Sequence, residues 1–391
     1  MRRKPVIKVK MNRGLLLIFI LVLCCIVLTG CWNYREVEQL AIAAGAAIDL
    51  NEDGTESITI EIVSIAGDGQ VTYEPVLIET TGKTFFDAVR RGITIQGKKI
   101  YWSHAKAIIL SQEIAKQDVT KYLDFLFRDA EAREDAWLLV SMEKTAKEVL
   151  QTKGMLRPIV SFELDDMMRS QRSISRFPQI EIFEFFDRLF YEQVSPILPT
   201  VRVIEQKGTK TPQIEGTAVF NGKKMVDVLG VSETKGVLWL RDEVEGGLIV
   251  VEDVVKEGED VTLEIYRSKS KITPMVQDNG LKMKVDIDLV VNIAEIEGPT
   301  DFISSSGQQK LKEIAEKQLE KDIMDMYTKV RDEHKSDIFG FGRRIDMKLP
   351  QVWSQIKDNW REYYSELELE VNANIKIRGS ATTRTPLKEG E

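Results

Sequence analysis

The strongest apolar signal in the chain lies near its N-terminus, where residues 15–28 form an unbroken hydrophobic run. The run follows a start that carries basic side chains and no acidic ones: Arg2, Arg3, Lys4, Lys8, Lys10 and Arg13. As a helix it would rise only about 21 Å, and it falls short of the roughly 20 residues that a bilayer core requires. We therefore predict that residues 1–30 are a cleavable signal peptide, with an uncleaved N-terminal anchor as the alternative.

The region after this run mixes the apolar periods of strands and helices. Strand patterns cover residues 57–65, 105–110 and 136–140. Helical patterns are interspersed from residue 118 and around residues 160–171 and 181–193. Thr84 is placed to cap a short helix that ends at Gly92. This mixture predicts an N-terminal α+β region over residues 31–205 and leaves open a division into two subdomains.

Residues that favour turns indicate a boundary near residue 205: Pro196, Pro199, Gly208 and Pro212. Beyond them, the segment 213–229 predicts a hairpin that turns at Asn221-Gly222. Long alternating strands around residues 261–265, 281–293 and 367–377 accompany an amphipathic helix at 311–330. Alternating strands expose one face to water, so we predict an antiparallel sheet with helices on the other face.

These patterns predict an α+β fold of two to three domains, each a mixed or antiparallel β-sheet packed with helices. The C-terminal α+β domain, with its antiparallel sheet and long helix, would cover residues 213–380, and residues 381–391 would be a polar tail.

The net charge of the chain limits the kinds of partner that it can bind. Removal of residues 1–30 would delete six of the 54 basic residues and none of the 62 acidic ones, so the formal net charge would change from −8 to −14. So acidic a surface is a poor partner for nucleic acid and for anionic lipid. We therefore expect no nucleic-acid partner and a body that does not adhere to the membrane by charge.

One of the three cysteines is predicted to attach the protein to a membrane. Cys24 and Cys25 lie in the predicted signal peptide, and Leu28-Thr29-Gly30-Cys31 resembles the lipobox of bacterial lipoproteins, in which the cysteine is diacylated and becomes the new N-terminus. We predict that Cys31 is the lipidation site, because two acyl chains hold a protein firmly to a membrane. The mature chain would then have no free thiol for catalysis or metal binding.

Three short motifs resemble ligand-binding loops without completing them. Residues 92–98 have the glycine and lysine spacing of a phosphate loop, but Lys99 stands where a Ser or Thr should follow. Residues 49–54 resemble a calcium loop, but its twelfth position is Ile60 and not glutamate. The glycines of Phe339-Gly340-Phe341-Gly342 lack the third glycine of a dinucleotide fingerprint, so a tight turn explains them better.

Catalytic and metal-binding candidates are equally weak. The two histidines, His104 and His334, are isolated, a pattern that rarely makes a metal site. We predict a structural role for His104 at the start of a buried strand, and His334 would end the amphipathic helix. A serine triad through His104 stays open because triads are spatial, but no nucleophile elbow marks a serine. The run 128–135 alternates in charge, which favours a self-paired surface over catalytic carboxylates. We predict no catalytic residue, no metal site and no cofactor.

The segment Cys31-Trp32-Asn33-Tyr34-Arg35-Glu36 resembles the mature N-terminus of the Ger(x)C spore germination lipoproteins, which commonly begin Cys-Trp-Asp-x-Arg-Glu. Asn33 departs from that pattern. Further matches follow in the family's order: His104-Ala105-Lys106, Arg128-Asp129 with Arg133, the hairpin 220–226, Asp337–Gly342, Pro350, Trp353 and Trp360. The resemblance covers residues 15–380.

The resemblance implies the C subunit of a nutrient germinant receptor, with its body on the outer face of the spore inner membrane. Its partners would be an A subunit with membrane-spanning and soluble parts and a permease-like B subunit. The family is described as three α+β domains without enzymatic activity. We expect a non-enzymatic, lipid-anchored receptor subunit; the alternatives are a solute-binding lipoprotein with a two-lobed parallel α/β cleft and, less favoured, an exported hydrolase.

Two segments are candidates for contacts with those partners. The first is the juxtamembrane segment with Trp32, Arg35 and Glu36. The second is the turn at Phe339, Gly340 and Gly342 together with Trp353 and Trp360. For the two tryptophans, the favoured interpretation is core packing against the last strand.

Overall fold

The computed structural model of the chain describes residues 13–27, 39–66, 72–128, 133–191, 194–277 and 280–380. It divides into two units, Met1–Leu40 and Ala41–Glu391. In the first unit, helix α1 covers Arg13–Val27. Among the residues described, no helix combines the length and the apolar character needed to cross a membrane. The predicted tail and the N-terminal residues Cys31, Trp32, Arg35 and Glu36 lie outside the described ranges.

The second unit contains a large mixed sheet of nine strands. They are β1 (Leu40–Leu50), β2 (Glu56–Ala66), β3 (Thr72–Gly82), β4 (Lys99–Tyr101), β5 (Ala107–Leu110), β6 (Trp137–Ser141), β7 (Ile197–Gln206), β8 (Thr209–Asn221) and β9 (Lys224–Leu229). Their order is β3-β2-β1-β5-β6-β7-β8-β9, and β4 also pairs with β1. The central strands β1, β5, β6 and β7 are parallel, and the outer pairs are antiparallel.

Short helices connect the strands of this sheet: α2 (Phe85–Gln96), α3 (Gln112–Ala115), α4 (Thr120–Arg128), α5 (Lys147–Leu150), α6 (Val160–Arg169) and α7 (Ile182–Phe190). The hydroxyl of Thr84 accepts the N–H of Asp87, which confirms the predicted cap of α2. The predicted end at Gly92 is wrong, because α2 continues to Gln96. Close packing explains a glycine at this position inside the helix, because a Cβ there would lie 2.9 Å from Cδ1 of Ile100.

Two buried carboxylates of the first hairpin cap helices that lie about a hundred residues further along the chain. Asp49 accepts the N–H groups of Ala146 and Lys147 at 2.6 and 3.0 Å, at the start of α5. Glu61 accepts the N–H groups of Val160 and Ser161, both at 2.8 Å, at the start of α6. Burial raises the pKa of both carboxyl groups. Asp49, the first position of the calcium-loop resemblance, is therefore engaged in a structural role.

A smaller sheet forms the rest of the second unit. Its strands β10 (Leu248–Val251), β11 (Val261–Gln277), β12 (Gly280–Ile296) and β13 (Glu368–Ser380) lie in that order. The pairs β10–β11 and β11–β12 are antiparallel, as predicted. The prediction of a fully antiparallel sheet is wrong for β13, which runs parallel to β12. A chain of helices joins the two strands, and a parallel neighbour requires such a crossover.

The helices of this part are α8 (Val231–Arg241), α9 (Ser305–Lys329), α10 (Phe341–Lys348), α11 (Pro350–Ile356) and α12 (Trp360–Ser365). Side chains of α8 and α9 cover both edges of the small sheet. Glu316 and Glu320 accept the N–H groups of Ile375 and Ala373 in β13 at 2.7 and 2.8 Å. At the opposite edge, Lys235 donates to the carbonyl of Leu248, and Gln318 donates to that of Val250 at 3.0 Å. These side chains occupy main-chain groups that an edge strand would otherwise leave without a partner.

The predicted hairpin is present as β8 and β9, but it joins the large sheet and not the C-terminal one. Strand β8 pairs with β7 across the turn at Gly208, which has φ +77°. Pro199 and Pro212 lie inside this pair of strands, and Pro199 borders an irregularity in the register where a missing N–H is tolerated. The predicted α+β class is confirmed: two sheets are packed with helices.

The capping role of Glu61 gives a first prediction. Glu61→Ala leaves two buried N–H groups of α6 without an acceptor, so the free energy of unfolding should fall by about 2 kcal/mol or more. Urea unfolding of the variant measures the loss. The matched control is Glu74→Ala, an exposed position on the neighbouring strand β3, which should stay close to the parent protein. Equal midpoints for both variants would contradict the capping role.

Candidate functional site

The turn that the sequence analysis singled out surrounds a buried carboxylate. Asp337 is only 4% exposed, and it precedes α10. Its Oδ1 accepts the N–H of Phe341 at 3.0 Å, and its Oδ2 accepts the N–H of Gly342 at 2.7 Å. Burial raises the pKa of Asp337 to about 6, and these backbone donors act in the opposite direction. The turn is therefore organised around one buried negative charge.

Both glycines of this turn are required by its geometry. Gly340 has φ +76°, a backbone conformation that favours glycine. Gly342 lies against two tryptophans: an added Cβ would be 3.0 Å from Cη2 of Trp353 and 3.0 Å from Nε1 of Trp360. The two indole rings lie 5.4 Å apart at 66°. The sequence pattern of aromatic and glycine residues thus reflects close packing.

Burial corrects the prediction that this turn forms a contact surface. Four of its predicted interface residues are buried: Phe339, Gly342, Trp353 and Trp360. Gly340 is half-buried. The tryptophans belong to the core, as the favoured interpretation had it, because their large apolar rings gain most from removal from water.

The same segment is hydrogen-bonded to the large sheet and to α8. The hydroxyl of Ser336 donates to the carbonyl of Phe220 in β8 at 2.6 Å, and the N–H of Ser195 donates to the carbonyl of Asp337 at 2.9 Å. Arg241, at the end of α8, donates to the carbonyl of Ile338 at 2.9 Å. The turn is therefore a structural joint whose hydrogen bonds reach the large sheet and α8.

The two histidines differ in their surroundings. His104 is exposed in the turn before β5, which begins at Ala107, so its predicted place at the start of a buried strand is wrong. His334 follows α9, and its Nε2 lies 3.0 Å from Oδ2 of Asp227. Asp227, Glu333 and His334 are close enough to share a cation. Lys329, however, already places its ammonium 3.9 Å from Asp227, so an ion-pair network accounts for this cluster.

A groove of about 1620 Å³ lies elsewhere in the second unit. One wall comes from α6, the 3-10 turn after it, and β8. The other comes from α8, β10 and α9. Four cationic residues line it. Lys321 lies 3.8 Å from Asp325 and Lys329 lies 2.7 Å from Glu233, whereas Arg176 and Lys235 pair with no carboxylate of the described residues. They stand 59 positions apart in the sequence, and no local motif marks either one, so the sequence analysis did not find them.

The structure is that of an α+β protein with two mixed sheets. The aromatic and glycine motif singled out in the sequence forms a buried structural turn. Comparison with known proteins agrees with that class. Residues 33–203 match the family described as "Spore germination protein N-terminal domain". Residues 215–381 match "Spore germination B3/ GerAC like, C-terminal". The chain belongs to the Ger(x)C family of spore germination proteins, which confirms the resemblance.

Curated relatives cover nearly the whole chain. Spore germination protein B3 of Bacillus subtilis (strain 168) is 26% identical over 90% of this chain and 94% of its own length. Spore germination protein KC of the same organism is 25% identical over 97% of this chain and 98% of its own length. Among solved structures, the crystal structure of the GerBC protein matches 88% of this chain and all of its own, with a TM-score of 0.56 and 22% identity. That likeness supports the fold.

The buried charge at Asp337 generates a prediction about pH. The pKa of Asp337 in the folded protein, about 6, lies above the ordinary value of 3.8, so the folded state holds this proton more tightly than the unfolded state. The protonated carboxyl therefore contributes to the free energy of unfolding. This contribution is fully present below about pH 4 and is lost as the pH rises to about 6, which lowers the free energy of unfolding by about 3 kcal/mol. Asp337→Asn cannot titrate and should lack this loss.

The measurement is the free energy of unfolding of Asp337→Asn and the parent protein at several values between pH 4 and pH 7. The other carboxyl groups titrate in both proteins, so the difference between the two curves isolates Asp337. The exposed Asp358→Asn serves as control and should follow the parent curve. Parallel curves for Asp337→Asn and the parent would show that the buried carboxyl does not titrate in this range.

Proposed function

We propose that this chain is a non-enzymatic, lipid-anchored subunit of a nutrient germinant receptor in bacterial spores. Its family membership over residues 33–203 and 215–381 is the observation that carries the proposal. Relatives that span almost the whole chain are named spore germination proteins. As the C subunit, the chain assembles with an A subunit and a permease-like B subunit on the outer face of the spore inner membrane.

The anchor is the lipid on Cys31. The sequence Leu28-Thr29-Gly30-Cys31 supports it, as does the length of α1. With 15 residues, α1 rises about 22 Å, which is shorter than the hydrocarbon core of a bilayer. Signal cleavage before Cys31 and diacylation of its thiol give the body a firm attachment without a spanning helix.

A scaffold role fits the chemistry of the described residues. The polar side chains that drew attention in the sequence form structural contacts: Asp49 caps α5, Asp53 accepts the N–H of Thr55 at 2.9 Å, and Asp337 holds the turn before α10. Carboxylates that are engaged in this way are not positioned for acid–base catalysis. The body therefore works by contacts with its partners.

The fold does not favour the alternative of a solute-binding lipoprotein. That class would need two lobes, each with a parallel sheet. In the small sheet, two of the three strand pairs are antiparallel. The topology therefore favours a receptor subunit over a solute-binding lipoprotein.

The anchor is tested by Cys31→Ala in spores of the native host. Loss of the thiol prevents lipidation, so the variant should leave the membrane fraction and the spores should respond more weakly to nutrients. Membrane fractionation and germination assays measure the two effects. Cys24→Ala, in the segment predicted to be removed, is the matched control and should behave as the parent. A Cys31→Ala protein that stays in the membrane and supports normal germination would overturn the proposed anchor.

A further inference from the structure

The groove described above contains two cationic side chains that form no ion pair with a carboxylate of the described chain. Arg176 is exposed beside the 3-10 turn that follows α6, and Lys235 lies half-buried on α8. The chain has 62 acidic residues against 54 basic ones, so two unpaired cations that line one groove are not expected from composition. Two unpaired positive charges in one groove can hold an anionic group.

Most carboxylates on the walls of the groove, in contrast, already pair with a cation or accept a backbone hydrogen bond. Asp166 pairs with Arg157 at 2.7 Å, Glu215 with Arg202 at 2.8 Å, and Glu233 with Lys329 at 2.7 Å. Glu163 accepts the N–H groups of residues 156 and 157. Asp325 lies 3.8 Å from Lys321, and Asp253 accepts the N–H of Gly258 at 2.8 Å. Glu252 and Asp322 complete the carboxylates that line the groove. Burial and, after it, the cation of Arg176 lower the pKa of Lys235 to about 8.

The second feature of the groove is the edge of a sheet. Strand β10 is the outermost strand of the small sheet and pairs with β11 on one side. The carbonyls of Leu248 and Val250 accept bonds from the side chains of Lys235 and Gln318, so these two residues direct their main chain away from β11. Flexible side chains cover this edge, and a strand of another protein can displace them.

Apolar side chains face water around this edge. Leu248 and Val250 are 47% and 46% exposed on β10, and Met155 and Leu156 are 55% and 90% exposed on the opposite wall. The volume of 1620 Å³ exceeds the range of roughly 300–1,000 Å³ of small-molecule pockets. Its size, its apolar rim and its strand edge suit an extended polypeptide better than a small molecule.

We propose that this groove binds an extended segment of a partner protein in which apolar residues alternate with acidic ones, by adding it as a strand to β10. The main chain of the segment pairs with Leu248 and Val250. Lys235 leaves the carbonyl of Leu248 and, with Arg176, pairs with a carboxylate of the segment. Because side chains alternate between the two faces of a strand, the apolar residues of the segment can contact the exposed apolar side chains of the groove.

The test uses the full chain in detergent micelles and a display library of random heptapeptides as the probe. Peptides selected on the parent protein should be enriched in glutamate and aspartate at positions that alternate with apolar residues. Arg176→Gln/Lys235→Gln should bind the strongest of these peptides at least tenfold more weakly. Lys224→Gln/Lys348→Gln removes two exposed cations outside the groove and should bind as the parent does.

A further variant tests the strand edge in case the double variant folds poorly. Leu248→Glu places a carboxylate on exposed β10, where it repels an acidic segment and pairs with the cations, so it should also abolish binding. Thermal unfolding checks that each variant is folded. Equal affinity for a peptide and its glutamine counterpart, or selected peptides without acidic residues, would overturn the proposal. The binding assay is independent of germination, so its result stands apart from the proposed receptor role.

Discussion

The buried carboxylate of Asp337 is the contact on which the joint between the large sheet and α8 depends. It accepts the N–H groups of Phe341 and Gly342 and so fixes the path of the chain between α9 and α10. The neighbouring Ser336 bonds to β8, and Arg241 bonds to Ile338. A buried charge is costly unless donors surround it, so the turn, its glycines and the packed tryptophans form one interdependent arrangement.

Much of the fold could be predicted because alternation of apolar and polar residues identifies strands directly. The hairpin of β8 and β9 and the long strands β11 and β12 were recognisable in this way. Alternation does not encode direction or partner, which is why the parallel pairing of β13 and the attachment of β8 to β7 were not foreseen. Those features depend on the crossover helices and on contacts between distant residues.

The site was predictable only where its residues are neighbours in sequence. The turn at 337–342 carries a visible motif, but its burial follows from tertiary packing around Gly342. Arg176 and Lys235 belong to different segments and meet only in the folded chain. The same limit applies to Asp49 and Glu61, whose helix caps join residues about a hundred positions apart. Sequence patterns report local periodicity, whereas these contacts are set by the arrangement of the sheets.

The proposed function is a scaffold that is held at a membrane by lipid. Its supports are the structural contacts of the carboxylates, membership of a family of spore germination proteins and the residues 28–31, which resemble a lipobox. The most direct test of this account is the intact mass of the protein purified from spores. We predict a chain that begins at Cys31 and carries a diacylglyceryl group on that residue. A mass that retains residues 1–30, or a Cys31 without lipid, would contradict the account.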